Sequence, residues 1–200
     1  MTKEIIDNRE KYLERVNLYK KFGCDTEKER KFIIDKARPF YGDILEIGTG
    51  KGHLTMALAQ EDFKFITIDP SQEEQNYAKM NIQHLGLEKN VDFKVENGEA
   101  MSFANDSFDI VISANTVHHL DNAFLVMDEI IRVLKPKGKI VLSDFTAQGL
   151  ELVDKIHQQE GRSHHPGKIG LKQIKEYFQD KKFNIQKLSS KFQEVLIASN

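Results

Sequence analysis

From residue 42 onward, hydrophobic positions fall into short apolar runs separated by longer amphipathic segments. The short runs are typical of buried strands, and the segments between them are typical of helices. This pattern predicts five strands, at residues 43–47, 64–68, 91–95, 109–113 and 139–143. Strands that alternate with helices form a parallel sheet covered by helices on both faces. We therefore expect a doubly wound α/β fold.

The two ends of the chain depart from this alternation. Residues 3–22 predict a first helix, and a capping-box pattern at residues 26–29 opens a second helix that ends before Pro39. Residues 1–40 are thus predicted to be a helical cap on a main domain of residues 41–200. A helix over 123–134 and a turn at 136–138 precede the fifth strand. A hairpin of residues 183–188 and 192–198 adds an antiparallel strand and brings the total to seven.

Residues 145–169 form a long excursion without a predicted strand. A right-handed crossover leaves the fifth strand at the carboxyl edge of the sheet, whereas the next strand begins at the opposite edge. The helix predicted over residues 170–180 can make that crossing by itself. We therefore expect the excursion to stay above the carboxyl edge as a lid.

The composition excludes several classes of protein. The chain has 200 residues, which suits one domain, and 29 basic against 31 acidic side chains leave no surplus charge for nucleic acid or an anionic membrane. A single cysteine, Cys24, forms no intrachain disulfide and no cysteine-based zinc site. No apolar run is long enough for a membrane span, and the first residues do not form a signal peptide. We expect a cytoplasmic monomer or homodimer without a bound metal.

A glycine cluster follows the first strand as Glu46-Ile47-Gly48-Thr49-Gly50-Lys51-Gly52-His53. A phosphate-binding loop needs a hydroxyl residue after its lysine, and here the next residue is glycine. A dinucleotide fold needs glycine at the position that His53 occupies. The spacing that remains allows a ligand to approach the backbone closely. Glycines alone are also consistent with a tight turn that binds nothing.

Acidic residues that follow two later strands indicate more about the ligand. Asp69 ends the second strand, where a carboxylate can accept hydrogen bonds from both hydroxyls of a ribose. Glu99 follows the third strand, where it could accept the exocyclic amine of adenine, with Met101 against the ring. Together with the glycine loop, these residues form a row of the size of a nucleoside.

In this order and spacing, the motifs resemble those of the class I S-adenosylmethionine-dependent methyltransferases. The matching segments lie within residues 40–145 and include the glycine loop, Asp69, Gly98-Glu99-Ala100, residues 107–111 and residues 132–139. The resemblance implies a Rossmann-like fold, S-adenosyl-L-methionine as cofactor and S-adenosyl-L-homocysteine as product. With Pro70 added as the neighbour of Asp69, the cofactor-binding residues that it implies are Glu46, Gly48, Thr49, Gly50, Gly52, Asp69, Pro70, Glu99, Ala100 and Asn115.

Histidines are the candidate proton acceptors. His118 and His119 lie just beyond the fourth strand and are the predicted catalytic pair, although either could merely cap the following helix. His157, His164 and His165 lie in the predicted lid and, with Tyr19 of the cap, are the predicted substrate contacts. Metal binding by the wider set of histidines is a weaker alternative, because their spacing matches no closed metal motif.

A small-molecule acceptor is the interpretation left by elimination. The segment after the fourth strand lacks the Asn/Asp-Pro-Pro-aromatic motif of amino-group methylation in nucleic acids, and Cys24 is poorly placed as a nucleophile. Two hypotheses therefore stand. The first is methyl transfer to a small molecule by in-line displacement, and the second is a non-catalytic S-adenosylmethionine-binding sensor or scaffold.

Overall fold

The computed structural model describes residues 1–161, 167 and 169–200. In these residues the strands are β1 (Ile44–Ile47), β2 (Phe65–Asp69), β3 (Val91–Val95), β4 (Phe108–Ala114), β5 (Leu134–Phe145), β6 (Asn184–Ser189) and β7 (Gln193–Ser199). The α-helices are α1 (Lys3–Lys21), α2 (Thr26–Ala37), α3 (His53–Gln60), α4 (Gln72–Leu85), α5 (Ala123–Val133), α6 (Ala147–Gln159) and α7 (Leu171–Asp180). Among these helices, none is both long enough and apolar enough to cross a lipid bilayer.

The strands form one sheet in the order β3-β2-β1-β4-β5-β7-β6. Strands β1 to β5 are mutually parallel, whereas β7 runs antiparallel to both β5 and β6. This confirms the predicted doubly wound sheet with an antiparallel C-terminal hairpin. The order reverses direction between β1 and β4, so the crevice between their carboxyl ends is the expected ligand site.

Each face of the sheet is covered by its own apolar core. One core packs α5 and α7 against strand residues such as Leu45, Val111 and Leu142. The other packs α2, α3 and α4 against Ile44 and Ile112. Alternate residues of one strand therefore point to opposite cores, which is why the central strands are apolar at nearly every position.

The start of β5 differs from the predicted helix end and turn. The strand already pairs through Leu134 opposite Phe108, and regular pairing resumes at Lys139 opposite Ile110. A single residue, Asp109, therefore faces the four residues 135–138, and its carboxylate accepts hydrogen bonds from the Lys135 ammonium at 2.7 Å and the Asp43 amide at 2.8 Å. The local proline and glycine signals predicted a turn, but long-range pairing converts the segment into an irregular strand end.

The N-terminal helices lie over the carboxyl edge. Helix α1 packs along α4, where the Asn8 amide donates to the Tyr77 carbonyl at 3.2 Å, and α2 contributes Ile33 and Ile34 to the second core. Helix α6 occupies most of the predicted lid stretch and packs Leu152 and Ile156 against Cys24 and Phe192. A lid function for residues 145–169 remains a prediction.

Candidate active site

A cavity of about 510 Å³ opens at the carboxyl edge of the sheet. Its floor is made by the segments that follow β1, β2, β3 and β4, and its far wall by α1, α2 and α6. This volume is within the range of small-molecule binding sites. The cavity therefore lies at the switch point where the order of the sheet reverses.

Hydrogen bonds from two backbone amides fasten the loop after β1 to the end of β2. The amides of Gly48 and Thr49 both donate to the Ile68 carbonyl, at 2.8 and 3.1 Å. Gly48 has a φ of 86°, and a Cβ there would lie 2.2 Å from the Thr116 hydroxyl. Gly50 has a φ of 48°, and a Cβ at this position would meet nothing within 4 Å, so the residue presents bare backbone to the cavity. Close approach of a ligand to this backbone remains a prediction.

The Asp69 carboxylate is held beside this loop by two backbone amides. Its Oδ2 accepts a hydrogen bond from the Gly50 amide at 2.8 Å, and its Oδ1 accepts one from the Ser71 amide at 2.8 Å. An ionised carboxylate has about four lone-pair sites, so each oxygen can accept one further donor. Asp69 and the neighbouring Pro70 both line the cavity. The two amides therefore fix the orientation of the carboxylate at the cavity.

Asn115 supplies an acceptor at the exit of β4. Its backbone has a φ of 56°, and its amide nitrogen donates to the Ser143 carbonyl at 2.8 Å. Its side-chain Oδ1 is buried without a hydrogen-bond partner among the described residues, and the residue lines the cavity. A buried acceptor without a donor requires an explanation, and a ligand ammonium would satisfy it.

The residues after β3 depart from the expected contacts. Asn97 and Gly98 line the cavity, whereas Glu99 and Ala100 do not. The Glu99 carboxylate instead accepts a hydrogen bond from the Asn122 amide at 3.2 Å. Met101 is buried in the core beside α5, so the expectation that it contacts a purine ring is wrong. In the turn after β3, the Asn97 side chain accepts a hydrogen bond from the Glu99 amide at 3.0 Å.

Glu46 lies beneath the glycine loop rather than in the cavity wall. The residue is 1% exposed, and its Oε2 accepts a hydrogen bond from the Thr55 hydroxyl at 2.7 Å. Burial raises the pKa of Glu46 from its ordinary value of 4.5 to about 7, against the hydrogen bonds from Thr67 and Thr55, which lower it. Glu46 thus links β1 to α3; its support of the glycine loop and its contact with a ligand remain predictions.

Two other predicted loop residues serve packing. Gly52 does not line the cavity, and a Cβ there would lie 2.7 Å from that of Ala78 on α4. Thr49 lines the cavity, but its hydroxyl is hydrogen-bonded to Thr67 at 2.6 Å and accepts from the Gln75 amide at 3.3 Å. Both residues hold the loop against β2 and α4.

His118 is paired with an acid that the sequence reasoning missed. Its Nδ1 lies 2.6 Å from Oδ1 of Asp144, and its backbone amide donates to Oδ2 of the same carboxylate at 3.1 Å. Both side chains are buried, at 6% exposure for each residue, and His118 lines the cavity. His118 does not occupy the N-cap position of the following helix, because α5 begins at Ala123 with Asn122 as its N-cap. Asp144 is the penultimate residue of β5 at the carboxyl edge, close to the position that Asp69 has at the end of β2.

His119 is exposed and lines the cavity, with its ring centroid 4.0 Å from that of His118. The carbonyl of His118 accepts a hydrogen bond from the Gly167 amide at 2.6 Å. The far end of the predicted lid stretch therefore returns to the exit of β4.

Tyr19 of α1 and His157 of α6 line the same cavity. Nη2 of Arg15 lies 3.2 Å from Nε2 of His157, and its Nη1 donates to Glu160 at 2.5 Å, which links α1 to α6. Burial raises the pKa of the Cys24 thiol to about 11, so the thiol is a poor nucleophile. The predicted substrate contacts His164 and His165 lie outside the described residues. In the described ranges, no three His, Cys, Asp or Glu side chains converge as a metal site.

A family model described as a methyltransferase domain matches residues 42–195. This chain belongs to the methyltransferase domain family. The match begins just before β1 and ends within β7, and it confirms the family that the motif order had indicated.

Curated relatives of this methyltransferase-family chain carry similar names. An uncharacterized methyltransferase, YcgJ of Bacillus subtilis, is 29% identical over 134 residues, which are 67% of this chain and 53% of YcgJ. A ubiquinone/menaquinone biosynthesis C-methyltransferase, UbiE of Rickettsia prowazekii, is 31% identical over 110 residues, or 52% of this chain and 44% of UbiE. The aligned region therefore spans about half the length of these two relatives.

Solved structures share the fold of this methyltransferase-family chain. A SAM-dependent methyltransferase from Aquifex aeolicus superposes with a TM-score of 0.66 at 21% identity, covering 84% of this chain and 88% of that one. The [4+2]-cyclase SpnF superposes with a TM-score of 0.68 at 14% identity, covering 88% and 82%. At such identities the likeness shows the fold alone, and the fold hosts more than one reaction.

Proposed function

We propose that this chain transfers a methyl group from S-adenosylmethionine to a small-molecule acceptor bound under α1, α2 and α6. The observation that carries the proposal is the Asp69 carboxylate. It is fixed by the Gly50 and Ser71 amides at the rim of the cavity, with capacity for two further donors. The unpartnered Oδ1 of Asn115, buried among the described residues, adds an acceptor at the other end of the glycine loop.

The residues present fit this cofactor. Asp69 would hold the ribose hydroxyls, Gly50 would allow the chain to approach, and Asn115 would accept from the amino group of the methionine portion. Asn97 and Gly98, rather than Glu99 and Ala100, line the remaining floor toward the purine. When bound, the cofactor supplies a methyl group on a sulfonium, and little electrophilic help is needed because positive charge is lost on transfer.

His118 is the proposed general base. With its Nδ1 proton directed at Asp144, the imidazole has its basic lone pair on Nε2, where it can take the proton that an oxygen, nitrogen or activated carbon acceptor loses. Asp144 is a positioning residue, since it fixes the tautomer and stabilises the imidazolium that forms. The apolar side chains of Leu152, Val153 and Phe145 exclude water from this end of the cavity.

The relatives named as ubiquinone/menaquinone biosynthesis C-methyltransferases give the acceptor screen a first class of compounds, namely electron-rich quinone precursors. A small-molecule acceptor also agrees with the position of the cap, because α1, α2 and α6 wall the cavity that a nucleic-acid strand would have to enter.

The experiment has two steps. Calorimetry with S-adenosylhomocysteine is expected to show one site per chain, and absence of binding would refute the cofactor assignment. Incubation with S-adenosylmethionine labelled on its methyl group, together with a metabolite extract, is then expected to label a small molecule. Binding without any labelled product, in extracts that support a control methyltransferase, would favour the sensor or scaffold hypothesis instead.

A further inference from the structure

One arginine in the helical wall of the cavity has a buried side-chain nitrogen without a hydrogen-bond partner among the described residues. Arg30 lies on α2 and lines the cavity, and its Nη1 is buried without a hydrogen-bond partner in the described part of the chain. Among the described residues, no carboxylate forms an ion pair with it. By contrast, Arg15 in the same wall is committed to Glu160 and His157. Arg30 is therefore an uncommitted cation in this wall.

A guanidinium nitrogen that is buried without a hydrogen-bond partner is costly to keep. Removing a charged group from water costs several kcal/mol unless hydrogen bonds and an opposite charge offset it, and arginine does not lose its proton in proteins. Burial indeed lowers the pKa of Arg30, and the partial compensation comes from Tyr12, Tyr19, Glu27 and Cys24 rather than from a direct contact. Such a group favours a bound anion as its missing partner.

His53 strengthens the same inference from the other side. It begins α3, lines the cavity, and keeps Nδ1 buried without a partner among the described residues. Burial first, and then the charges of Arg30, Arg15 and Lys51, hold the pKa of His53 well below its ordinary value. The imidazole is therefore neutral, and in the tautomer protonated on Nδ1 it can donate one hydrogen bond from that nitrogen. Glu29, the acid that precedes Arg30 on α2, instead accepts a hydrogen bond from the Ser190 hydroxyl.

We propose that Arg30 and His53 form a subsite for a carboxylate within the cavity. The guanidinium fork matches the two oxygens of a carboxylate, and the apolar side chains of Val16, Ile33 and Leu54 line the same cavity. This proposal rests on the proposed function, because it assigns a ligand group to the same cavity. Two bound molecules could supply the carboxylate: the amino-acid end of the cofactor or an acidic acceptor.

The first arm tests the cofactor as the source. S-adenosylhomocysteine carries the amino-acid carboxylate, whereas 5′-methylthioadenosine has the same nucleoside without it. In calorimetry, Arg30→Met is expected to weaken S-adenosylhomocysteine by about tenfold or more and to leave 5′-methylthioadenosine within about twofold. The matched control is Arg38→Met, just beyond the end of the same helix, whose guanidinium forms a surface ion pair with Glu61 outside the cavity.

The second arm tests an acidic acceptor as the source. Protein saturated with S-adenosylhomocysteine is titrated with benzoate and with benzamide, its uncharged counterpart. Binding of benzoate but not benzamide, lost in Arg30→Met and kept in Arg38→Met, would assign the carboxylate to the acceptor. If neither arm depends on Arg30, the subsite is overturned.

The two proposals fail in distinguishable ways. If 5′-methylthioadenosine and S-adenosylhomocysteine both fail to bind the parent protein, the proposed function is wrong. If both bind but Arg30 changes neither arm, only the subsite is wrong. The melting temperature tests whether Arg30 has a structural role instead. Arg30→Met should melt at or above the parent temperature, because it removes a charge whose buried nitrogen has no partner among the described residues. A clear fall in melting temperature without loss of carboxylate binding counts against the proposal. Arg30→Lys, which keeps the charge but not the fork, repeats the test should Arg30→Met not fold.

Discussion

Replacing Asp69 by alanine tests the centre of the proposed site. Each carboxylate oxygen holds one backbone amide at 2.8 Å, which leaves about two acceptor positions for a ribose. A hydrogen bond to a charged group contributes about 1.5–3 kcal/mol. We therefore expect Asp69→Ala to weaken S-adenosylhomocysteine by about 10- to 150-fold, since each 1.4 kcal/mol is a factor of ten.

The assay is calorimetric titration of the purified variant, with melting monitored by circular dichroism to show that the fold persists. Asp92→Ala is the matched control, because Asp92 is an exposed acid on the adjacent strand β3. Asp69→Ala should weaken 5′-methylthioadenosine as strongly as S-adenosylhomocysteine, since both carry the ribose, and this separates it from the Arg30 variant. A dissociation constant within twofold of the parent value would refute the placement of the ribose.

Three further predictions concern the support of the site and its chemistry. The pKa of Glu46 is raised from 4.5 to about 7, so between these pH values the folded protein binds a proton that the unfolded chain does not. The free energy of unfolding should therefore fall by about 3 kcal/mol as the pH rises through this window. Urea denaturation should therefore find Glu46→Gln more stable than the parent at pH 8 and equal near pH 4; a constant difference would contradict the burial argument. His118→Asn should keep the affinity for S-adenosylhomocysteine within twofold but lower labelled-methyl transfer by about 100-fold or more; undiminished transfer would exclude His118 as the base. Gly52→Ala should cost about 1–3 kcal/mol more than Gly86→Ala, because both glycines have positive φ but only Gly52 lies against Ala78; equal denaturation midpoints would show that α4 yields at that contact.

Much of the fold could be predicted because its signals are local. Apolar runs identified the five parallel strands, and the position of Asp69 directly after one of them placed its carboxylate at the carboxyl edge. Asp144 likewise directly follows the predicted strand 139–143, but no local signal pairs this acid with His118. The contact joins residues 26 positions apart, and it depends on the parallel register of β4 and β5.

The third strand exit shows the limit of motif spacing. Glu99 and Ala100 occupy the motif positions, yet the turn closed by the Asn97 side chain directs Glu99 to Asn122 and away from the cavity. A difference of one or two residues in a turn changes which side chain faces a ligand. Such turns are set by competing hydrogen bonds, which a pattern of residue types does not rank.

The sequence by itself determined the sheet, its carboxyl-edge loops and the acid at the end of β2, because strand period, glycine spacing and turn chemistry act over a few residues. Only the tertiary structure decided that Arg30 and His53 line one cavity, and that the stretch after β5 forms α6 in the wall of that cavity. Those contacts join helices that share no local signal. They follow from how α1, α2 and α6 pack over the edge of the sheet, which is a property of the whole chain.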